Sequence, residues 1–129
     1  MHGLAAAAGG AVGAYLRWAL GGWLQRAAWA SPANQYFPVG TLAVNLSGCF
    51  AIGLLAALVH ERLLLAPPAR TFLLVGVLGG YTTFSTFALE TLTLIEEGSF
   101  ALATLNALGS VVFGLLGVAA GALLARGLA

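Results

Sequence analysis

Gly79-Gly80-Tyr81-Thr82-Thr83-Phe84-Ser85-Thr86-Phe87 lies inside a hydrophobic run long enough to cross a lipid bilayer, although its middle is glycine, hydroxyls and aromatic rings. The hydrocarbon of a bilayer offers no hydrogen-bond partners, so a helix interrupted at that depth must be covered by protein or line a polar cavity. Freed backbone carbonyls there can hold a cation, and nearby donors or ring edges can hold an anion. The stretch therefore predicts a broken membrane helix that binds an ion.

The composition of the chain is that of an integral membrane protein. Of its 129 residues, 60% are hydrophobic and 7% are charged, and the mean hydropathy is +0.98. Soluble domains carry about 25% charged residues. The net charge of +1 provides no basic field for a nucleic acid. We expect a single transmembrane domain over residues 1–129, with no nucleic-acid partner.

Four segments reach the roughly 20 mostly apolar residues that a spanning helix needs. They run from about Leu4 to Leu24, from Gly40 to His60, from Thr71 to Ile95 and from Phe100 to Ala125. The fold class expected is therefore an all-α membrane protein with four transmembrane helices, the third broken near its middle. No Lys or Arg precedes the first apolar run, so we expect a retained helix and not a signal peptide. The connection over residues 25–38 is left open as helix or loop.

The numbers of arginines on the two sides of the membrane differ too little to predict one orientation. Arg62, Arg70 and Arg126 fall on one side, and Arg26 falls on the other. Because loop arginines set orientation, so weak a bias is compatible with insertion both ways. An antiparallel, dual-topology homodimer follows as a hypothesis.

Glycines form stripes on the first and fourth segments. Residues spaced by three or four share a helix face and let backbones approach closely. The stripes are Gly9, Gly13, Arg17 and Gly21 on the first segment, and Asn106, Ser110, Gly114, Gly117 and Gly121 on the fourth. Most such stripes reflect helix packing alone, and we expect these faces to contact protein.

Polar residues on three segments suggest a track across the membrane. Thr41 and Asn45 share a face of the second segment, Asn106 and Ser110 lie on the fourth, and Thr86 follows the break. Asn45 on its own is explained equally well by an interhelical hydrogen bond. Taken together, amide and hydroxyl donors with few deep carboxylates favour an anion over a cation.

Phe84 and Phe87, three residues apart, would ordinarily be lipid or core contacts. Directly after the break, they could instead present their positive ring edges to a small anion. Glu90 lies on the same side of the helix, either as a mouth residue or as an interfacial one. Arg17 could raise the local anion concentration or bind backbone carbonyls at a helix end.

No catalytic arrangement is apparent, so we do not expect an enzyme. His2 and His60 have no metal ligand at suitable spacing, and Ser47 and Ser85 have no histidine base nearby. Cys49 lies in an apolar run and is interpreted as a packing residue.

Three blocks of the sequence resemble the CrcB or Fluc fluoride channels. They are residues 9–18 (GGAVGAYLRW), 38–48 (PVGTLAVNLSG) and 79–90 (GGYTTFSTFALE). The resemblance covers nearly the full length. It implies passive fluoride export across the prokaryotic inner membrane by an antiparallel homodimer that has two pores and a structural sodium ion at its centre.

The resemblance also implies roles for individual residues. Asn45, Phe84, Phe87, Thr86 and Ser110 match pore positions, to which the shared face adds Thr41. Gly79 and Thr82 match the residues whose backbone carbonyls hold the sodium ion. Arg17 matches an arginine at the pore entrance, where Asn106 and Glu90 are also expected. The family often has a tyrosine near the position of Asn106 and a hydroxyl at that of Gly114.

Two other functions are considered. A proton-coupled small multidrug transporter also uses four short helices, but it needs a carboxylate in its first helix, where this chain has none. A non-transporting membrane subunit would be favoured only if every polar residue served packing.

Overall fold

The computed structural model describes residues 1–30, 36–62 and 65–128, and these residues are helical with short connections. The first segment consists of α1 (His2–Leu16), a π-helical stretch (Arg17–Gly21) and α2 (Gly22–Trp29). The second is α3 (Val39–Arg62), and the fourth is α7 (Phe100–Gly127). The third consists of α4 (Pro67–Arg70), a π-helical stretch (Thr71–Val77), α5 (Leu78–Tyr81) and α6 (Phe84–Glu96).

Three of these helical segments are long and apolar enough to cross a membrane: Val39–Val59, Pro67–Glu96 and Phe100–Gly127. They correspond to the second, third and fourth predicted spans. The first segment contains Arg17 and many glycines and is not among the three, so its role as a fourth span stays a prediction. Its helix continues to Trp29, so the first part of the connection over residues 25–38 is helical. Residues 31–35 of that connection lie outside the described residues.

The glycine stripe of the first segment packs against protein, as predicted, but against two different neighbours. A Cβ atom on Gly9 would overlap the carbonyl oxygen of Phe72, and one on Gly13 would overlap that of Val77, both in the third segment. Gly21 instead lies beside Gly40 of α3, whose own Cβ would overlap the Gly21 carbonyl oxygen. Each four-residue step turns a helix by about 40° beyond a full circle, so the stripe winds from one neighbour to the next.

The second and fourth segments pack through the glycines of α7. A Cβ atom on Gly121 would overlap the carbonyl oxygen of Phe50, and one on Gly114 would lie 3.4 Å from Cys49 Sγ. Cys49 is a free cysteine that fills this contact, which agrees with its interpretation as a packing residue. Such close approach is what small residues provide where lipid supplies no hydrophobic driving force between helices.

Candidate functional site

The third segment is broken at Thr82 and Thr83, inside the stretch predicted from the sequence. Thr82 (φ −87°, ψ 157°) ends α5 in an extended conformation, and Thr83 (φ −150°, ψ 119°) precedes α6 in another. The Thr83 side chain caps α6 by accepting a hydrogen bond from the Thr86 N–H at 3.3 Å, and its hydroxyl donates to Thr86 Oγ1 at 3.0 Å. Threonine is a favoured residue at this position, because its oxygen satisfies a donor that the helix cannot.

Asn45 of α3 holds the break through a pair of hydrogen bonds. The Thr83 N–H donates to Asn45 Oδ1 at 2.8 Å, and Asn45 Nδ2 donates to the Thr83 carbonyl oxygen at 2.9 Å. The Asn45 oxygen thus replaces the backbone acceptor that the Thr83 N–H would have in a continuous helix, and the amide N–H adds a second contact to the carbonyl that opens α6. A half-buried Asn beside the break supplies a partner to backbone that lipid could not satisfy.

This pairing frees a carbonyl in α5. In a continuous helix the Thr83 N–H would donate to the carbonyl of Gly79, four residues earlier, but here it donates to Asn45. The Gly79 backbone is exposed, and a Cβ atom there would have no neighbour within 4 Å. The Gly79 carbonyl is therefore a backbone acceptor that has lost its usual donor beside open space.

Arg17 reaches the same break from the first segment. Its Nη1 donates to the Thr82 carbonyl oxygen at 3.3 Å. Arg17 thus binds a backbone carbonyl at the end of α5, which is one of the two roles considered for it. A carbonyl oxygen has two lone pairs, so this contact leaves Thr82 able to accept from a second partner.

A cavity of about 380 Å³, termed the inner cavity, brings together residues from three segments on one side of the break. Predicted pore and sodium residues lie in its lining: Asn45, Gly79, Thr82, Phe84, Phe87 and Ser110. The rings of Phe84 and Phe87 lie 5.4 Å apart between centroids and are tilted by 47°. Phe84 is 79% exposed, so this cavity opens onto the surface of the single chain.

Ser110 brings an unusual feature to the inner cavity. Its Oγ atom is buried and has no hydrogen-bond partner within the described part of the chain. Leaving a buried hydroxyl unpaired costs about 1–3 kcal/mol. Unlike the hydroxyls of Thr82 and Thr91, which donate to backbone carbonyls one turn earlier, this one remains available to donate to a ligand.

A larger cavity of about 700 Å³, termed the outer cavity, lies on the other side of the break. Its lining includes four of the five other predicted residues, Arg17, Thr41, Thr86 and Glu90. The Thr41 hydroxyl donates to Glu90 Oε1 at 2.7 Å, which joins the second segment to the third. Glu90 Oε2 is buried and unpartnered among the described residues. Glu90 is thus held inside the protein by a specific contact.

Thr83 lies in the lining of both cavities. It is 9% exposed, and its backbone and side chain are bonded to Asn45 and Thr86. Thr83 was not among the residues predicted for the site. The signal was present, since a threonine directly before a helix is a favoured N-cap residue.

Asn106 lies apart from the other predicted residues. It is 1% exposed, and its Nδ2 donates to Thr91 Oγ1 at 2.9 Å, between α7 and α6. It lies in the lining of neither cavity. Asn106 thus lies in a contact between α6 and α7. Its predicted place at a pore entrance stays a prediction, because it lines neither of the two cavities.

Comparisons with known proteins agree with the resemblance seen in the sequence. The family model described as "CrcB-like protein, Camphor Resistance (CrcB)" matches residues 4–122. A protein of Solibacter usitatus named "Fluoride-specific ion channel FluC" is 49% identical over 120 residues, which are 93% of this chain and 94% of that protein. A protein of the same name from Paracoccus denitrificans is 51% identical over 122 residues, covering 88% of this chain and 95% of the relative.

A third relative with this name, from Methylococcus capsulatus, is 50% identical over 129 residues. The match covers 97% of this chain but only 53% of that protein, so this chain spans about half of its length.

Proposed function

This chain belongs to the CrcB-like family, and from that membership and the geometry of its broken helix we propose that it conducts fluoride passively across the prokaryotic cell membrane. It is a multi-pass integral membrane protein and not an enzyme, in keeping with its long apolar helices and with relatives named as ion channels.

The observation that carries the proposal is the inner cavity, where Asn45, Phe84, Phe87 and Ser110 meet. Fluoride is small and strongly hydrated, so a pore must replace its water with several donors of moderate strength. Asn45 uses one Nδ2 hydrogen to hold Thr83 and has a second one to offer, because an amide nitrogen carries two. The free hydroxyl of Ser110 and the ring edges of the two phenylalanines add further weak contacts.

We place the path of the ion along the break. Thr83 lies between the two cavities, and from it Thr86 and Thr41 continue the series of hydroxyls into the outer cavity. Arg17, at the outer cavity, supplies a positive charge that raises the local concentration of anions. The ring edges of the phenylalanines carry no fixed positive charge, so they bind an anion only weakly. An ion that enters can therefore also leave.

We further propose that two copies pair antiparallel and form two pores. The inner cavity opens to the surface at Phe84 and Gly79, which a pore in lipid does not tolerate, since irregular backbone at membrane depth must be covered by protein. A second copy inserted in the opposite orientation would cover this opening, and the weak arginine bias is compatible with both orientations. Membrane lipid would contact the remaining apolar surface.

A sodium ion at the centre of such a dimer fits the residues present. The Gly79 carbonyl has lost its helical donor to Asn45, and the Thr82 carbonyl keeps one lone pair beside its contact with Arg17. Carbonyl oxygens are suitable ligands for a hard cation. Gly79 and Thr82 of each copy would hold it, and its chemistry would be structural, the neutralisation of carbonyl dipoles at the break.

The test is transport by the purified protein in liposomes. The rival function, proton-coupled export of organic cations, makes the opposite prediction there. A channel releases fluoride down its gradient with no proton gradient applied, whereas a carrier accumulates an organic cation only when one is imposed. Fluoride release without cation uptake supports the proposal, and cation uptake without fluoride release would replace it.

A further inference from the structure

Gln25 ties the end of the first segment to the beginning of α3. Its Nε2 donates to the Phe37 carbonyl oxygen at 2.9 Å, and its Oε1 accepts from the Gly40 N–H at 2.8 Å. This pattern resembles the pair between Asn45 and Thr83, because in each case one side-chain amide both donates to and accepts from the backbone of another element.

The beginning of α3 needs such a partner. A helix leaves its first N–H groups unbonded, and Ser, Thr, Asp or Asn just before the helix usually satisfies one of them. Here the residues before Val39 are Phe37 and Pro38, which have no side chain that can accept. Gln25 supplies from a distant helix the acceptor that the local sequence lacks.

The two hydrogen bonds of Gln25 also fix the position of Thr41, the residue that follows Gly40. Gly40 is held by Gln25 on its N–H and by close contact with the Gly21 backbone, which leaves little freedom at the first turn of α3. Thr41 comes next, and its hydroxyl donates to Glu90 at 2.7 Å. Gln25, Gly40, Thr41 and Glu90 all lie in the lining of the outer cavity.

We infer that Gln25 is a positioning residue for ion conduction, which sets the place of Thr41 opposite Glu90 at the outer cavity through its pair of hydrogen bonds to Phe37 and Gly40. The inference rests on the proposed function for its effect on conduction. Its structural part, the dependence of the contact between Thr41 and Glu90 on Gln25, stands without it.

The test compares Gln25→Met, which keeps the length of the side chain but neither hydrogen bond, with Thr71→Val. Thr71 also makes a side-chain hydrogen bond to a backbone carbonyl, that of Pro67 at 3.2 Å, and lies in the lining of neither cavity. Two quantities are measured on full-length protein: fluoride release from liposomes per folded protein, and the infrared carboxyl band of Glu90, identified by its loss in Glu90→Gln.

Gln25→Met is expected to slow release about fivefold, the factor that corresponds to losing the single hydrogen bond between Thr41 and Glu90 that Gln25 positions. It should also shift the Glu90 band in the same direction as Thr41→Val does, whereas Thr71→Val should change neither quantity. An unmoved band would overturn the inference whatever the rate, because the effect would not act through Thr41. A shifted band with wild-type release would overturn the role in conduction. Wild-type protein that releases no fluoride would instead contradict the proposed function, and the band would still decide the positioning.

Discussion

The side-chain amide of Asn45 exchanges two hydrogen bonds with the backbone of Thr83, accepting from its N–H at 2.8 Å and donating to its carbonyl at 2.9 Å. The residue predicted to face the ion therefore also builds the interruption in the third segment. One amide thus holds the break, and in the proposed pore it would also offer a donor to the anion.

Replacement of Asn45 by Leu should therefore affect stability and conduction together. The variant loses two hydrogen bonds and leaves the Thr83 N–H unpaired, which should cost about 2–4 kcal/mol of unfolding free energy. Thermal unfolding in detergent and fluoride release from liposomes measure the two effects. Ser47→Ala is the control, because Ser47 on the same helix is exposed and bonds to Val44 and Tyr81. Equal stability of Asn45→Leu and wild type would contradict the structural task.

Replacement of Phe84 or Phe87 by Ile should block fluoride release and leave the protein folded. Isoleucine keeps an apolar side chain but has no ring edge to present to an anion. The measurement is release per folded protein, with folding followed by size-exclusion chromatography. Phe100→Ile serves as the control, since Phe100 is an exposed phenylalanine at the start of α7. Wild-type rates in both Phe84→Ile and Phe87→Ile would mean that these rings only pack.

Ser110→Ala should separate function from stability. The Ser110 hydroxyl is buried without a partner, so its removal should raise the unfolding free energy by about 1 kcal/mol or leave it unchanged. Release of fluoride should nevertheless slow, because a donor in the inner cavity is lost, and Ser110→Thr should retain most of the wild-type rate. If Ser110→Ala conducts as wild type does, the hydroxyl has no part in the path.

Sodium should stabilise the protein more than potassium at equal concentration. A cation that binds only the folded dimer raises the unfolding free energy by about 2.7 kcal/mol at 100 times its dissociation constant. The unfolding midpoint in detergent should rise with sodium chloride and respond much less to potassium chloride. Identical midpoints in the two salts would argue against a sodium site formed by the Gly79 and Thr82 carbonyls.

The length and apolar composition of the segments were enough to predict α3, α7 and the broken third segment, because a spanning helix needs about 20 mostly apolar residues. The break itself was predicted from glycines and hydroxyls over residues 79–87, and Thr82 and Thr83 lie inside that range. Such features are local, and a single sequence displays them.

The contacts between segments were not predictable in this way. Which hydrogen bonds Asn45, Arg17 and Gln25 make depends on the register of one helix against another. That register is set by backbone contacts such as Gly21 with Gly40, which a stripe of glycines indicates but does not align. Asn106 shares a face with Ser110, yet it pairs with Thr91, because one helical turn is enough to move a side chain from a cavity into a helix contact.

The central claim is that copies of this chain, with no other protein, form a passive path for fluoride. It is tested most directly with purified protein in sodium-loaded liposomes filled with fluoride. A fluoride electrode outside records release after an ionophore collapses the membrane potential, and matched liposomes filled with chloride report selectivity. Rapid fluoride release with no proton gradient, and chloride release no faster than from empty vesicles, is the predicted result. Fluoride release no faster than from protein-free liposomes would contradict the account.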